Sequence, residues 1–171
     1  MQGDTAALAR VAIASSVTEL SISGAPPEML AEYLPPHRSL LVPRRAAFVT
    51  IGPVWRLGVL LLGVDGALFA TGSVTRARNP THPNYTSVSG EERRERREAA
   101  RRAGFALHDT VNFDALPLPF DTTLGTVGPL RLRDGALVVS WNGSGTADSL
   151  RPFAAYLHER VELLAHPPEG A

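Results

Sequence analysis

Apolar residues recur at helical spacing near the N-terminus of the chain. Residues 4 to 20 begin at Asp4, whose side chain can cap a helix, and Gly24 follows where a helix would end. One apolar stripe would consist of Leu8, Val11, Ala12 and Ser15. The pattern predicts a helix that carries this stripe.

Two later segments also predict helices. Residues 26 to 34 follow a Pro-Pro first turn and end before a second Pro-Pro pair, so a short helix is expected there. Residues 148 to 165 give the clearest helical pattern, because Asp148 or Ser149 can cap it and Pro152 falls in its first turn. Its apolar face comprises Leu150, Phe153, Ala154, Leu157, Val161 and Leu164.

From Ala47 onward the spacing of apolar residues changes from the helical period to the alternation that is typical of an extended chain. Asp65-Gly66 and Asp134-Gly135 are hairpin turn signals between apolar runs. Residues 57 to 62 are apolar on both alternations apart from Gly58, which predicts a central strand covered on both faces. The letters DGAL recur at both turns, so the hairpins either record a duplication or solve the same turn geometry independently.

These elements, with a further strand near residues 107 to 113, predict an α+β fold. The expected architecture is a mostly antiparallel sheet built from two hairpins and packed by three to four helices. The length fits a single domain, residues 1–171. Within it we expect an N-terminal helical segment (1–45), an α+β core (46–165) and a tail (166–171).

Composition excludes several classes of chemistry. The chain has 171 residues with seventeen basic and seventeen acidic side chains, and it contains neither cysteine nor lysine, since every basic residue is arginine. Thiol nucleophiles, disulfides, Schiff-base lysines and phosphate-loop lysines are therefore excluded. Because no apolar run approaches the roughly 20 residues of a membrane span and no signal peptide is evident, we expect a soluble, cytoplasmic protein with no membrane partner. No motif indicates a cofactor.

One predicted helix is densely charged, since residues 89 to 105 hold six arginines and four glutamates. Ser89 to Glu92 fits a capping box. Ion pairs four residues apart are expected between Glu92 and Arg96, Arg94 and Glu98, and Glu98 and Arg102. The polyanion candidates are Arg93, Arg97 and Arg101, which form an uninterrupted arginine stripe. Because the glutamates offset the arginines, we expect a solvated face, and a weak nucleic-acid binder acting through residues 91–102 is the alternative.

Two polar segments are candidates for a ligand site. The loop 78–89 carries polar side chains between stiffening prolines, and alternation along the strand 107–113 would align further ones on one face. The candidate ligand-binding residues are Arg56, as an anion anchor, and His82, Asn84, Tyr85, His108 and Asn112. The alternative is that the loop is a surface connector and the strand face is solvated. Neighbours on a strand point to opposite faces, so His108 and Asp109 would need a bulge to act as a catalytic pair, and no catalytic residue is assigned.

The predicted last helix holds a possible metal pair. His158 and Glu162 lie four residues apart and share a helical face. Spacing indicates no third ligand, so a surface pair is expected and no metal site is predicted. Free N–H groups in residues 141–149 are an alternative site for a phosphate, but capping by Thr146, Asp148 or Ser149 explains that composition better.

The runs PVWRLGVLLLGVDGALFATG, REAARRAGF and PFAAYLHERVELL resemble a family of small, uncharacterised actinobacterial proteins, some of which are called glutaminases. The resemblance covers residues 45 to 165 and implies an actinobacterial source with a GC-rich genome. One glutaminase class uses a Ser-x-x-Lys pair, and another uses a cysteine nucleophile assisted by histidine and glutamate. This chain has neither lysine nor cysteine.

The sequence therefore favours a small binding or interaction module whose partner is an unknown protein or small molecule. The alternative is a hydrolase or transferase that acts on a small polar metabolite. The two differ in one feature, because an enzyme would line a single concave pocket with His108, Asn112 and the 82–85 loop.

We expect the purified protein to release no ammonia from glutamine, because it lacks both nucleophile systems named above. A coupled assay for ammonia measures this directly. Release at an enzymatic rate that one substitution in this chain abolishes would contradict the expectation.

Overall fold

The computed structural model describes residues 2–39, 42–78, 88–120, 124–144 and 146–168. Within them the chain forms three α-helices and twelve strands, so the α+β class is confirmed, with three helices where three to four were expected. The helices are α1 (Gln2–Ser23), α2 (Val88–Arg102) and α3 (Phe153–Ala165).

The strands vary from two to eleven residues in length. They are β1 (Glu28–Leu34), β2 (His37–Ser39), β3 (Val42–Arg44), β4 (Ala47–Leu57), β5 (Leu60–Gly63), β6 (Leu68–Ala70), β7 (Ser73–Arg76), β8 (Thr110–Phe113), β9 (Leu116–Pro117), β10 (Leu130–Arg133), β11 (Ala136–Ser140) and β12 (Leu150–Pro152).

Two compact units share the chain. The first unit comprises Met1–Pro27, Val54–Thr71 and Leu116–Ala171, and the second comprises Glu28–Pro53 and Gly72–Ala115. Strand β4 therefore contributes its first part to the second unit and its last residues to the first. Each unit has its own apolar core.

In the second unit the strands lie in the order β7-β8-β1-β4. Strand β7 is antiparallel to β8, whereas β8 is parallel to β1, with Met29 opposite Val111 and Leu30 opposite Asn112. The sheet is therefore mixed, and the prediction of a mostly antiparallel sheet is wrong. Helix α2 adds Ala99 and Ala100 to the core of this unit.

The helix predicted for residues 26 to 34 is wrong, because Glu28–Leu34 forms strand β1. Glu, Met, Leu and Ala favour helix by less than about 1 kcal/mol per residue, which tertiary pairing readily overrides. In the parallel pairing with β8 both Leu30 and Ala31 become fully buried. Burial of two successive residues is typical of a strand covered on both faces.

The first unit contains strands in the order β4-β5-β6-β9 and a second sheet in the order β10-β11-β12. Both predicted hairpins are present, since Asp65-Gly66 joins β5 to β6 and Asp134-Gly135 joins β10 to β11. The single strand predicted over residues 57 to 62 is wrong. Leu57 pairs with Leu60 across a two-residue turn, in which Gly58 has a φ of +64° that favours glycine.

Helix α1 agrees with the prediction in extent, and Gly24 follows it with a φ of +68°. The face that it buries differs from the predicted stripe. The core side carries Ala6, Ala9, Ile13, Ser16 and Leu20. Leu8, Val11 and Ser15 point outward and Ala12 lies at the boundary, because α3 and the neighbouring strands cover only one side of α1.

Helix α1 is apolar on both sides. From Gly3 to Ser23 it is long and apolar enough to cross a membrane by length and composition, and 28% of that segment is buried. The expectation that no segment of the chain reaches this length and apolarity is therefore wrong. Core helices and signal sequences have the same properties, so the finding assigns no location.

Helix α3 begins at Phe153, later than predicted. Residues Ala147–Ser149 form a single 3₁₀ turn, and Leu150–Pro152 pairs with β11 as strand β12. Pro152 precedes the helix at its N-cap and has no side-chain capping bond. Phe153, Leu157 and Val161 are buried in the core as expected.

The hydroxyl of Tyr156 attaches α3 to the turn between β4 and β5. It accepts a hydrogen bond from the Val59 N–H at 3.0 Å and donates one to the Leu57 carbonyl at 3.2 Å. A Cβ atom at Gly58 would overlap this hydroxyl. Glycine is therefore required at position 58 both for its φ angle and for its contact with the helix.

Gly58→Ala is expected to destabilise the protein more than Gly24→Ala. Both substitutions place a side chain at a similar positive φ, which costs about 1–2 kcal/mol. Open space surrounds Gly24, whereas Gly58 abuts Tyr156, so the free energy of unfolding should fall by at least about 1 kcal/mol more for Gly58→Ala. Urea denaturation measures both losses.

The double variant Gly58→Ala/Tyr156→Phe isolates the contact with the hydroxyl. In the Tyr156→Phe background the cost of Gly58→Ala should approach that of Gly24→Ala, since the overlapping oxygen is gone. Equal losses for Gly58→Ala and Gly24→Ala in the wild-type background would contradict this account.

Candidate functional site

The predicted ligand-binding residues are distributed over both units. Arg56 is a partly buried residue of β4 in the first unit, whereas His108 and Asn112 belong to the second. His82, Asn84 and Tyr85 lie outside the described residues.

His108 lies in a turn, not on a strand. Its φ is +74°, its side chain is exposed, and its N–H donates to the Ala77 carbonyl at 2.8 Å. The carboxylate of Asp109 accepts the Ala106 N–H at 2.7 Å and so stabilises the same turn. The strand predicted over residues 107 to 113 therefore begins only at Thr110, and His108 lies before it.

Asn112 is fully buried and hydrogen-bonded within the sheet. Its Nδ2 donates to the carboxylate of Glu28 at 2.7 Å and to the Met29 carbonyl at 3.2 Å. Both acceptors belong to β1, so Asn112 links the parallel strands β1 and β8. An exposed turn histidine and a buried amide do not share a ligand-facing surface.

Helix α2 forms the three predicted ion pairs. The distances are 3.3 Å for Arg96–Glu92, 3.8 Å for Arg94–Glu98 and 3.9 Å for Arg102–Glu98. Two polyanion candidates also have local acceptors, since Arg93 donates to Ser89 and Arg101 to the Phe105 carbonyl. The glutamates and helix carbonyls thus occupy guanidinium groups that a polyanion would need.

A groove of about 540 Å³ follows α2, and its lining has more carboxylates than guanidiniums. The lining residues are Arg45, Glu91, Glu92, Arg94, Glu95, Glu98 and Arg102. Close by, burial raises the pKa of Tyr33, and the carboxylate of Glu95 raises it further against the opposing effect of Arg96. The excess of carboxylates disfavours this groove as an anion site.

The outward side of α1 exposes large apolar side chains, two of which belong to the stripe predicted from the sequence. Leu8, Val11 and Ile22 are 71%, 67% and 81% exposed. The outer face, defined here as Leu8, Val11, Ser15, Thr18 and Ile22, alternates steps of three and four residues. This spacing is that of a helix that packs along another helix.

A groove lies at each end of the outer face. The Leu8 groove, about 260 Å³, is mainly apolar and is lined by Thr5, Leu8, Ala9, Gly135, Ala136, Leu137, Pro152, Phe153 and Ala154. The Ile22 groove, about 500 Å³, is lined by Ser15, Thr18, Glu19, Ile22, Ser23 and His166. Both grooves belong to the first unit.

Hydrogen bonds fix α1 to the first unit along its length. The Thr5 hydroxyl donates to the Gly135 carbonyl at 2.8 Å and Arg10 donates to the Phe120 carbonyl at 2.6 Å. Beyond the C-terminal end of the helix, the Trp55 indole donates to the Ala25 carbonyl at 2.9 Å. The outer face therefore lies on a helix that hydrogen bonds hold in place within the first unit.

Comparison of the chain with protein-family models, with curated proteins and with solved structures gives no match. The described residues form an α+β fold in which α1 carries large apolar side chains on its outward side as well as in the core.

Helix α2 is expected to bind DNA or RNA only weakly, at a Kd of about 10⁻⁴ M or weaker at physiological salt. The test is a titration of labelled single- and double-stranded oligonucleotides at two salt concentrations. A variant with Arg93, Arg97 and Arg101 changed to Gln should match one in which the exposed Arg131, Arg133 and Arg151 are changed to Gln. Submicromolar binding at 150 mM salt that only the first variant loses would show that α2 binds nucleic acid specifically.

Proposed function

We propose that this protein is an interaction module that self-associates through the outer face of α1. The observation that carries the proposal is the exposure of Leu8, Val11 and Ile22 on a helix whose other face already packs in the core. Full burial of a large apolar side chain contributes about 1.5–3 kcal/mol, so covering these three favours association and offsets part of its entropic cost.

The shape of the outer face favours a second copy of the chain as the occupant. Leu8 and Ile22 each lie seven residues from Ser15, in opposite directions along α1. A two-fold axis at Ser15 would bring Ile22 of each copy to the Leu8 groove of the other. Each exposed Ile22 side chain would then be buried, and each apolar groove would be filled. The small serine at the axis permits close approach of the helices.

Charge does not oppose this antiparallel arrangement. Glu19 is the acidic residue beside the outer face, four residues from Ser15. In the proposed dimer the two Glu19 residues are eight helical positions apart along the axis, about 12 Å. Screening at physiological salt acts over about 8 Å, so the repulsion between them is small.

The size of the surface predicts a weak dimer. Helix α1 has 22 residues, which gives a length of about 33 Å. One helical face of this length buries less than the roughly 800 Å² per partner of a stable interface. A dissociation constant of about 10 µM, equivalent to about 7 kcal/mol, is therefore expected.

A hydrolase or transferase has less support as an alternative. Among the described candidates, His108 is a turn residue and Asn112 is consumed by hydrogen bonds within the sheet. An interaction module needs neither side chain.

Sedimentation equilibrium over a range of micromolar concentrations should show a reversible dimer of the wild-type chain. Leu8→Glu and Ile22→Glu should each abolish it, because a buried carboxylate replaces an apolar contact. Leu163→Glu is the matched control, since Leu163 is 50% exposed on α3 and does not line either groove. That variant should dimerise like the wild type.

The absence of cysteine permits a direct test of the two-fold axis. Ser15→Cys should form an intermolecular disulfide under mild oxidation, because the axis would bring the two positions close to disulfide distance. Ser21→Cys, an exposed position on the side of the same helix, should crosslink at least about tenfold more slowly. Monomers at all concentrations, or equal crosslinking rates, would overturn the proposal. Vesicle binding by a monomer that Ile22→Glu abolishes would identify a lipid surface as the occupant instead.

A further inference from the structure

We propose that the C-terminal ends of α1 and α3 together bind a divalent transition-metal ion through Glu19, Glu162 and His166. One ligand atom from each of these side chains lies within 4.8 Å of the other two. The set combines one imidazole nitrogen with two carboxylate oxygens.

The direction of the two helices produces this arrangement. Thr5 and Leu8 of α1 line one groove with Phe153 and Ala154 at the start of α3. Glu19, near the end of α1, lies beside the end of α3. The helices therefore run in the same direction, and their C-terminal ends are neighbours.

The last turn of α3 presents two of the three ligands on one face. Glu162 and His166 are four residues apart, and the His166 N–H donates to the Glu162 carbonyl at 2.8 Å. This hydrogen bond fixes the backbone of His166, the residue that follows α3, and ligand atoms of the two side chains lie within 4.8 Å of each other. Glu19 supplies the third ligand from α1.

The electric field at this end of the unit favours a cation. A helix C-terminus carries about half a negative charge, and two such ends lie together here with two carboxylates. Neither helix has a basic residue in its last turn. Arg160, earlier in α3, pairs with Glu159 at 3.6 Å and stacks on Tyr156.

The three side chains have no other polar partner in the part of the chain that is described. No hydrogen bond or ion pair there involves the carboxylate of Glu19 or Glu162 or the imidazole of His166. All three are exposed or partly exposed, so rotation about their side-chain bonds can adjust their positions. Ligands about 2 Å from an ion lie roughly 3–3.5 Å from one another, so only a small closure is needed.

The ligand set indicates the kind of metal. Imidazole nitrogen with carboxylate oxygen suits Zn²⁺, Co²⁺ or Ni²⁺, whereas Mg²⁺ and Ca²⁺ prefer oxygen ligands alone. The Ile22 groove adjoins Glu19 and His166 and leaves room for water to complete the coordination. Three protein ligands with water in the fourth position is a coordination that zinc adopts in proteins.

The site revises the expectation drawn from His158 and Glu162. That pair lacked a third ligand, and His158 lies outside the group that converges. Glu162 and His166 have the same four-residue spacing and were overlooked. Glu19 is distant in sequence, so no spacing rule could have linked it to α3.

Zinc binding should be measured by isothermal titration and by metal analysis after dialysis, on protein without a polyhistidine tag. We expect one equivalent of Zn²⁺ per chain. Glu19→Gln and His166→Gln should each lower the affinity at least about tenfold. Zn²⁺ should also raise the Tm of the wild type and not of Glu19→Gln, because the ion links two helices only in the native state.

Matched controls come from the same helix. His158→Gln and Glu159→Gln remove an exposed histidine and an exposed glutamate outside the group, and both should bind Zn²⁺ like the wild type. Leu8→Glu should also retain the site, which separates this inference from self-association. Substoichiometric zinc, equal affinity in Glu19→Gln, or a loss in His158→Gln equal to that in His166→Gln would overturn the proposal.

Discussion

The hydroxyl of Tyr156 connects α3 to the tight turn between β4 and β5, where it pairs with one backbone donor and one backbone acceptor. Without it, the partly buried N–H of Val59 would lack this partner, and an unsatisfied buried donor costs about 1–3 kcal/mol. The hydroxyl also defines where α3 meets the hairpin of β4 and β5. Since only glycine fits at position 58, the turn can adopt this conformation beside α3, and α3 can approach the turn this closely.

The position of α3 determines which side of α1 is buried. Because α1 packs beside α3 in the same direction, Ala9, Ile13 and Leu20 enter the core and the opposite side stays outside. The outward side of an amphipathic helix is polar, so its exposure to water carries no hydrophobic cost. The outward side of α1 carries apolar side chains as well. The same parallel packing brings Glu19 to the end of α3. The packing of α1 against α3 thus produces both the exposed apolar surface and the convergence of Glu19, Glu162 and His166.

A buried amide links the two parallel strands of the second unit. Asn112 bonds to Glu28 and Met29 across the parallel pair, which costs little because both Nδ2 hydrogens have acceptors. Helix α2 covers the aromatic group Tyr33, Phe48 and Phe113, and Arg96 lies over two of these rings. Five of the six arginines of α2, all except Arg97, therefore have partners within the unit, which is why a helix so rich in arginine need not bind a polyanion.

The sequence alone determined the elements whose signals are local. The extents of α1 and α2, the Asp-Gly turns and the ion pairs of α2 depend on residues at most a few positions apart, and all are present. Tertiary structure decided whatever depends on a distant partner. Glu28–Leu34 became a strand because β8 offered hydrogen bonds and burial, and residues 57 to 62 divided at Gly58 because Tyr156 occupies that turn. The outward side of α1 and the approach of Glu19 to His166 follow from helix packing, which brings together residues more than a hundred positions apart that no local pattern relates.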